Sequence, residues 1–63
     1  MKTEKEIAQA IHDQFLKDYI HLDIEIDLLR SEKDEEEIKL KTDKLSRLGK
    51  RIKLLEEKYA LLS

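Results

Sequence analysis

Apolar residues recur at Ala8, Ile11, Phe15, Tyr19, Leu22, Ile26 and Leu29, in steps of three and four, the spacing of one helix face. Within that series, residues 20 to 28 alternate apolar and polar, which is the pattern of a half-buried strand. The helical spacing covers the longer stretch. Asp23, Glu25 and Asp27, which fill the alternation, are poor strand formers, and the chain offers no convincing partner strands. The pattern therefore predicts a helix over about residues 4–30 with two apolar faces. The second face is the row Leu16, Ile20, Ile24 and Leu28, each four residues from the next. Thr3 is placed to cap this helix, with Glu6 three residues on to complete a capping box.

The second periodic segment is more regular. Ile38, Leu45, Ile52 and Tyr59 lie seven apart, and Leu48, Leu55 and Leu62 fill the positions three residues after. This is a heptad seam interrupted at Lys41, with Leu40, Leu54 and Leu61 on an outer strip. It predicts a second helix over about residues 35–62. Between the segments, residues 30–37 carry no apolar side chain. One continuous coiled coil would leave about two turns of seam empty there, whereas a hairpin needs a polar turn at about residues 31–34. Asp34 and Glu37 form a second capping pair, Glu35 and Glu36 suit a helix start, and Arg30 suits a helix end. If the chain reverses, facing residues have a constant number sum. Ala8 with Leu62, Ile11 with Tyr59, Phe15 with Leu55 and Leu22 with Leu48 all give 70, so the mirror point is residue 35. The expectation is an all-α antiparallel hairpin, although the turn lacks the glycine that often ends a helix.

Size then bears on assembly. Sixty-three residues make one domain at most, and such a short chain buries only about 60% of the surface it exposes unfolded. Without cysteine, neither disulfides nor thiolate metal sites are available to support it. One helix pair uses one face of each helix. The remaining row Leu16, Ile20, Ile24 and Leu28 is more apolar surface than a monomer usually leaves in one strip. It suggests either a homodimeric four-helix bundle or a docking face for another protein. No apolar run approaches the length of a membrane span. With no cysteine and no apolar leader, a cytoplasmic location is expected.

Charge is unevenly divided. Residues 1–31 sum to −3, while residues 38–53 hold Lys39, Lys41, Lys44, Arg47, Lys50, Arg51 and Lys53 against Asp43 alone. Lys39, Arg47, Lys50 and Lys53 are expected on the outer side of the second helix, where they could contact phosphates. No aromatic residue is interleaved for base stacking, and a basic helix beside an acidic one also favours antiparallel pairing. Asp18, His21 and Glu25 share one strip at spacings of three and four. Such spacing can aim side chains at a metal ion, but the second segment offers no matching ligands, so a solvated strip is expected and no cofactor. His12 reads as a boundary residue. Gly49 reads either as drift on an exposed flank or as a site of close approach, facing His21 by the mirror rule. No serine–histidine–acid set in recognisable context and no glycine-rich phosphate loop is present, so no catalytic role is expected.

In length and helix layout the chain resembles the small RNA-binding four-helix bundles that control plasmid copy number. The resemblance lies in layout alone and carries over no functional residue. The sequence thus points to a small non-enzymatic regulatory or adaptor protein binding other proteins through helical surfaces. A nucleic-acid-binding bundle and a structural coiled-coil segment are the alternatives.

Overall fold

A computed structural model describes residues 2–61. Two helices, α1 (Glu4–Glu32) and α2 (Glu35–Tyr59), pack antiparallel into a hairpin 46 Å long and 16–17 Å across. The alternating stretch around residues 20–28 lies well inside α1, so the longer helical period prevails over the strand pattern. Neither helix is long and apolar enough to cross a membrane.

Capping explains where α1 begins. The Glu6 N–H donates to Thr3 Oγ1 at 3.2 Å, and the Thr3 hydroxyl donates to Glu6 Oε1 at 3.2 Å. The reversal needs only Lys33 and Asp34. Lys33 takes the left-handed conformation (φ 61°, ψ 32°). Its N–H donates to the Arg30 carbonyl and the Asp34 N–H to the Leu29 carbonyl, both at 3.2 Å. Together these two bonds form the Schellman arrangement that satisfies the last carbonyls of a helix. Asp34 then caps α2, its carboxylate accepting from the Glu37 N–H at 3.4 Å. The missing glycine is thus replaced by a lysine held in a backbone region that costs an L-residue about 1–2 kcal/mol. Lys33→Gly should raise stability by roughly 1 kcal/mol, read as a higher denaturant midpoint at unchanged slope. A fall in midpoint would show that the Lys33 side chain contributes more than its backbone costs.

α2 ends three residues earlier than the heptads predict. Ala60 adopts the left-handed conformation (φ 53°), and the Leu61 N–H donates to the Glu56 carbonyl at 2.9 Å. This stop turns Leu61 back into the protein, where it is buried, instead of leaving it on the outer strip. Leu62, the last expected seam residue, and its pairing with Ala8 lie outside the described residues.

The central core is Leu22, Leu48 and Ile52, with Phe15, Leu16 and Leu45 packed against it. Ala8 and Ile26 are buried on either side of this cluster along α1. The register differs from the mirror rule. His12 meets Glu56, Gly49 approaches Tyr19, and Lys41 meets Glu25. These pairs sum to 68, 68 and 66, not 70, because the two-residue turn centres the reversal between residues 33 and 34.

Candidate functional site

Three surfaces of the hairpin stand out. The first is the outer row of α1. Ile20, Ile24 and Leu28 stay 61%, 56% and 61% exposed. At about 100° per residue, Ile24 lies nearly opposite the buried Leu22 and Ile26, so this row turns away from α2. Leu16 departs from the expected row: it is half-buried and packs on the core cluster. It sits where the row, drifting round the helix, passes the edge of the seam.

The second surface is a groove of about 700 Å³ between the helices. Asp18, His21 and Glu25 line it from α1, and Lys41, Lys44, Arg47 and Arg51 line it from α2. Lys41 Nζ lies 2.8 Å from Glu25 Oε2, and His21 Nδ1 lies 2.6 Å from Glu25 Oε1. The lysine that interrupts the heptad seam is thus taken up by an acid from the facing helix. Asp18 accepts instead from Gln14 at 3.0 Å, so the strip is knitted by local bonds. Among the described residues no three histidine or acidic side chains are arranged to hold a metal ion.

The hydrogen bond from Lys41, reinforced by the charges of Lys41 and His21, holds the Glu25 carboxyl below its ordinary pKa despite some desolvation. The same bond, with the Glu25 charge, raises Lys41. The sign follows for each group. Glu25 contributes stability above the ordinary carboxylate range and loses it as pH falls through its lowered value. Lys41 contributes below the ordinary lysine range and loses it as pH rises through its raised value. Thermal melts of Lys41→Met against wild type should therefore differ across neutral pH and converge in strong acid and strong base. A difference independent of pH would mean that Lys41 acts through packing alone.

Towards the chain ends the groove continues as an apolar face. Phe15 and Arg51 join it to a section lined by Ile11, Leu54, Leu55 and Tyr59, which reaches Ile7 and Ala8. The sequence reading missed this face. Its signal was the spacing of Ile7, His21 and Leu28 by fourteen and seven residues on one strip, and of Leu40, Arg47 and Leu54 by seven on the other.

The third surface is the basic one, and it divides. Arg47 lines the groove, while Lys50 and Lys53 flank Leu54 on its outer side. Lys39 is exposed near the start of α2. Among the described residues, Lys41 is the one cation of residues 38–53 with an ion pair within 4 Å. Gly49 faces Tyr19 and not His21, and an added Cβ would sit 3.5 Å from the tyrosine ring, an ordinary contact. Close approach therefore does not require this glycine. His12 is the clearest departure. Expected at a boundary, it is 1% exposed and bonded to Glu56.

Compared with known proteins, the chain matches no family model, no curated protein and no solved structure.

Proposed function

We propose that this protein is a small, non-enzymatic regulatory adaptor that binds another protein through the outer row of α1 and is itself a dimer of hairpins. The observation that carries this reading is the exposure of Ile20, Ile24 and Leu28 on one strip pointing away from α2. A helix that presents apolar residues at i, i+4 and i+8 on its solvent side offers anchors of the kind that grooves in partner proteins accept. Dimerisation into a four-helix bundle is supported by scale. The buried apolar core is small for a stable domain, and a second hairpin would add the missing burial.

The experiment is Ile20→Asp combined with Ile24→Asp. Both residues are exposed, so helicity and hydrodynamic mass should be retained while capture of a partner protein from native lysate is lost. Capture of the same proteins by variant and wild type would overturn the assignment of this row. Nuclease treatment belongs in the same experiment, because Lys39, Lys50 and Lys53, which have no ion pair among the described residues, favour a second reading, contact with nucleic-acid phosphates. Capture abolished by nuclease and by moderate salt would support that reading over the first.

A further inference from the structure

We propose that the grooved face is the surface on which two copies of this chain meet, with α1 of each lying against α2 of the other and both turns at the same end. The inference rests on the dimer reading above and names its faces and its arrangement.

The face is composed in three parts. At the open end, Ile7 and Ile11 are 49% and 42% exposed and Leu54 is 64% exposed, beside the half-buried Leu55 and Tyr59. In the middle, α1 contributes Asp18, His21 and Glu25 while α2 contributes Lys44, Arg47 and Arg51. Toward the turn, Leu28 lies one heptad beyond His21, and Leu40 lies one heptad before Arg47. Heptad spacing keeps residues on one strip of a packed helix, so these two exposed leucines close the same face. The order is apolar, charged, apolar, with acid on one helix and base on the other.

A face-to-face pair of identical hairpins has its two-fold axis within the interface. If the axis runs across the helices, the turns lie at opposite ends and each helix lies on its own copy. Asp18 then falls near the second copy's Asp18, and Arg47 and Arg51 fall near the second copy's Arg51 and Arg47. Like charges directly opposed are unfavourable, and more so as water is excluded. If the axis runs along the helices, α1 faces the second copy's α2 at the heights set within each hairpin, where facing numbers sum to 66–68. Asp18 then meets Arg51, Glu25 meets Lys44, Leu28 meets Leu40 and Ile11 lies within a turn of Leu54. Two acids thus meet bases and the exposed apolar ends meet one another, while Arg47 falls level with His21. Among the described residues, Lys44 and Arg51 have no ion pair within their own hairpin, so this arrangement supplies partners that the single chain lacks. Leu28, the last member of the outer row, is taken into this interface, and Ile20 and Ile24 stay outside and free for another protein.

The test uses the full chain, which contains no cysteine. A spin label on Ser31→Cys, beside the turn, should give one distance between copies of roughly 20 Å, about two helix spacings. Turns at opposite ends would give a distance approaching the 46 Å length of the hairpin. In sedimentation, Ile11→Asp with Leu54→Asp should be monomeric, whereas Ile20→Asp with Ile24→Asp should stay dimeric. Both pairs are exposed, and circular dichroism checks that each variant stays helical. Arg47→Glu with Arg51→Glu should weaken the dimer by about tenfold or more, and adding Asp18→Arg should recover part of the loss. A monomeric wild type at high concentration would overturn the dimer reading together with this arrangement. A wild-type dimer with the long label distance, or one dissociated by the Ile20 and Ile24 changes alone, would overturn the arrangement and leave the dimer standing.

Discussion

Leu48→Ala should leave the chain largely unfolded at room temperature. Leu48 is buried in the cluster that both helices share, with Leu22 and Ile52. Removing a buried leucine side chain costs about 2–5 kcal/mol, the higher values arising where neighbours cannot collapse into the space. Two helices packed side by side around so small a core have little freedom to close such a gap. A core of this size supplies only about 3–5 kcal/mol in all, so the loss is comparable with the whole stability. Circular dichroism should show helicity falling steeply, and urea melts should lose their folded baseline. Ile20→Ala removes an equal volume from a side chain that is 61% exposed and should shift stability by no more than about 0.5 kcal/mol. If Leu48→Ala melted like Ile20→Ala, the shared cluster would not be what holds the helices together.

This contrast shows which features were legible in the sequence. Period and capping were plain: the helical period of both segments and the caps at Thr3 and Asp34 became structure, though Ile11 and Tyr19 of the α1 steps stay 42% and 38% exposed and Leu62 of the α2 seam lies outside the described residues. Register was legible only in part. Matching apolar seams gave a mirror at residue 35, and the caps gave a turn at about residues 31–34. α1 instead runs on to Glu32, so the turn is Lys33 and Asp34 alone, and its backbone geometry outweighs the best apolar overlap. A lysine in left-handed conformation at residue 33 was not legible, because composition alone favours glycine there.

For the candidate surfaces the limits are different. The outer row followed from i, i+4 spacing, but whether its first member reaches the core depends on the drift of the row round the helix, and Leu16 does reach it. The groove is assembled from both helices, so no one-dimensional pattern displays it. Only the register brings Asp18, His21 and Glu25 level with Lys44, Arg47 and Arg51. Leu61 was placed outside because a heptad continued past Tyr59 points it outward. The stop at Ala60 reverses that direction.

His12→Ala should be the second most damaging change, and His12→Leu should be nearly harmless. His12 is the most completely buried side chain among the described residues. Its Nε2–H donates to Glu56 Oε2 at 2.8 Å, across the helix pair. Among the described residues its Nδ1 has no hydrogen-bond partner, for Asp13 stands 4.0 Å away, beyond hydrogen-bond range. A buried polar nitrogen left unpaired costs about 1–3 kcal/mol, so the site already bears an unfavourable polar group. Alanine removes the ring and leaves a gap between the helices, a loss of about 2–4 kcal/mol. Leucine fills similar volume and removes the unpaired nitrogen. Glu56 is partly exposed and can turn to water, so the change should fall between neutral and about 1 kcal/mol stabilising. Glu56→Leu is the opposite case, since it leaves both nitrogens of His12 without partners and should cost about 1–3 kcal/mol. The three variants therefore rank alanine, then the Glu56 change, then leucine, in denaturant melts. A histidine kept at such a position despite its cost fits a role in register, because it pairs with Glu56 only when facing numbers sum to 68. In His12→Leu that constraint is gone, and the apolar seams favour the slipped register that sums to 70. Spin labels on Gln9 and Lys58 should then show a broader distance distribution than in wild type. An equally narrow distribution in His12→Leu would mean that the two-residue turn sets the register without help from this pair.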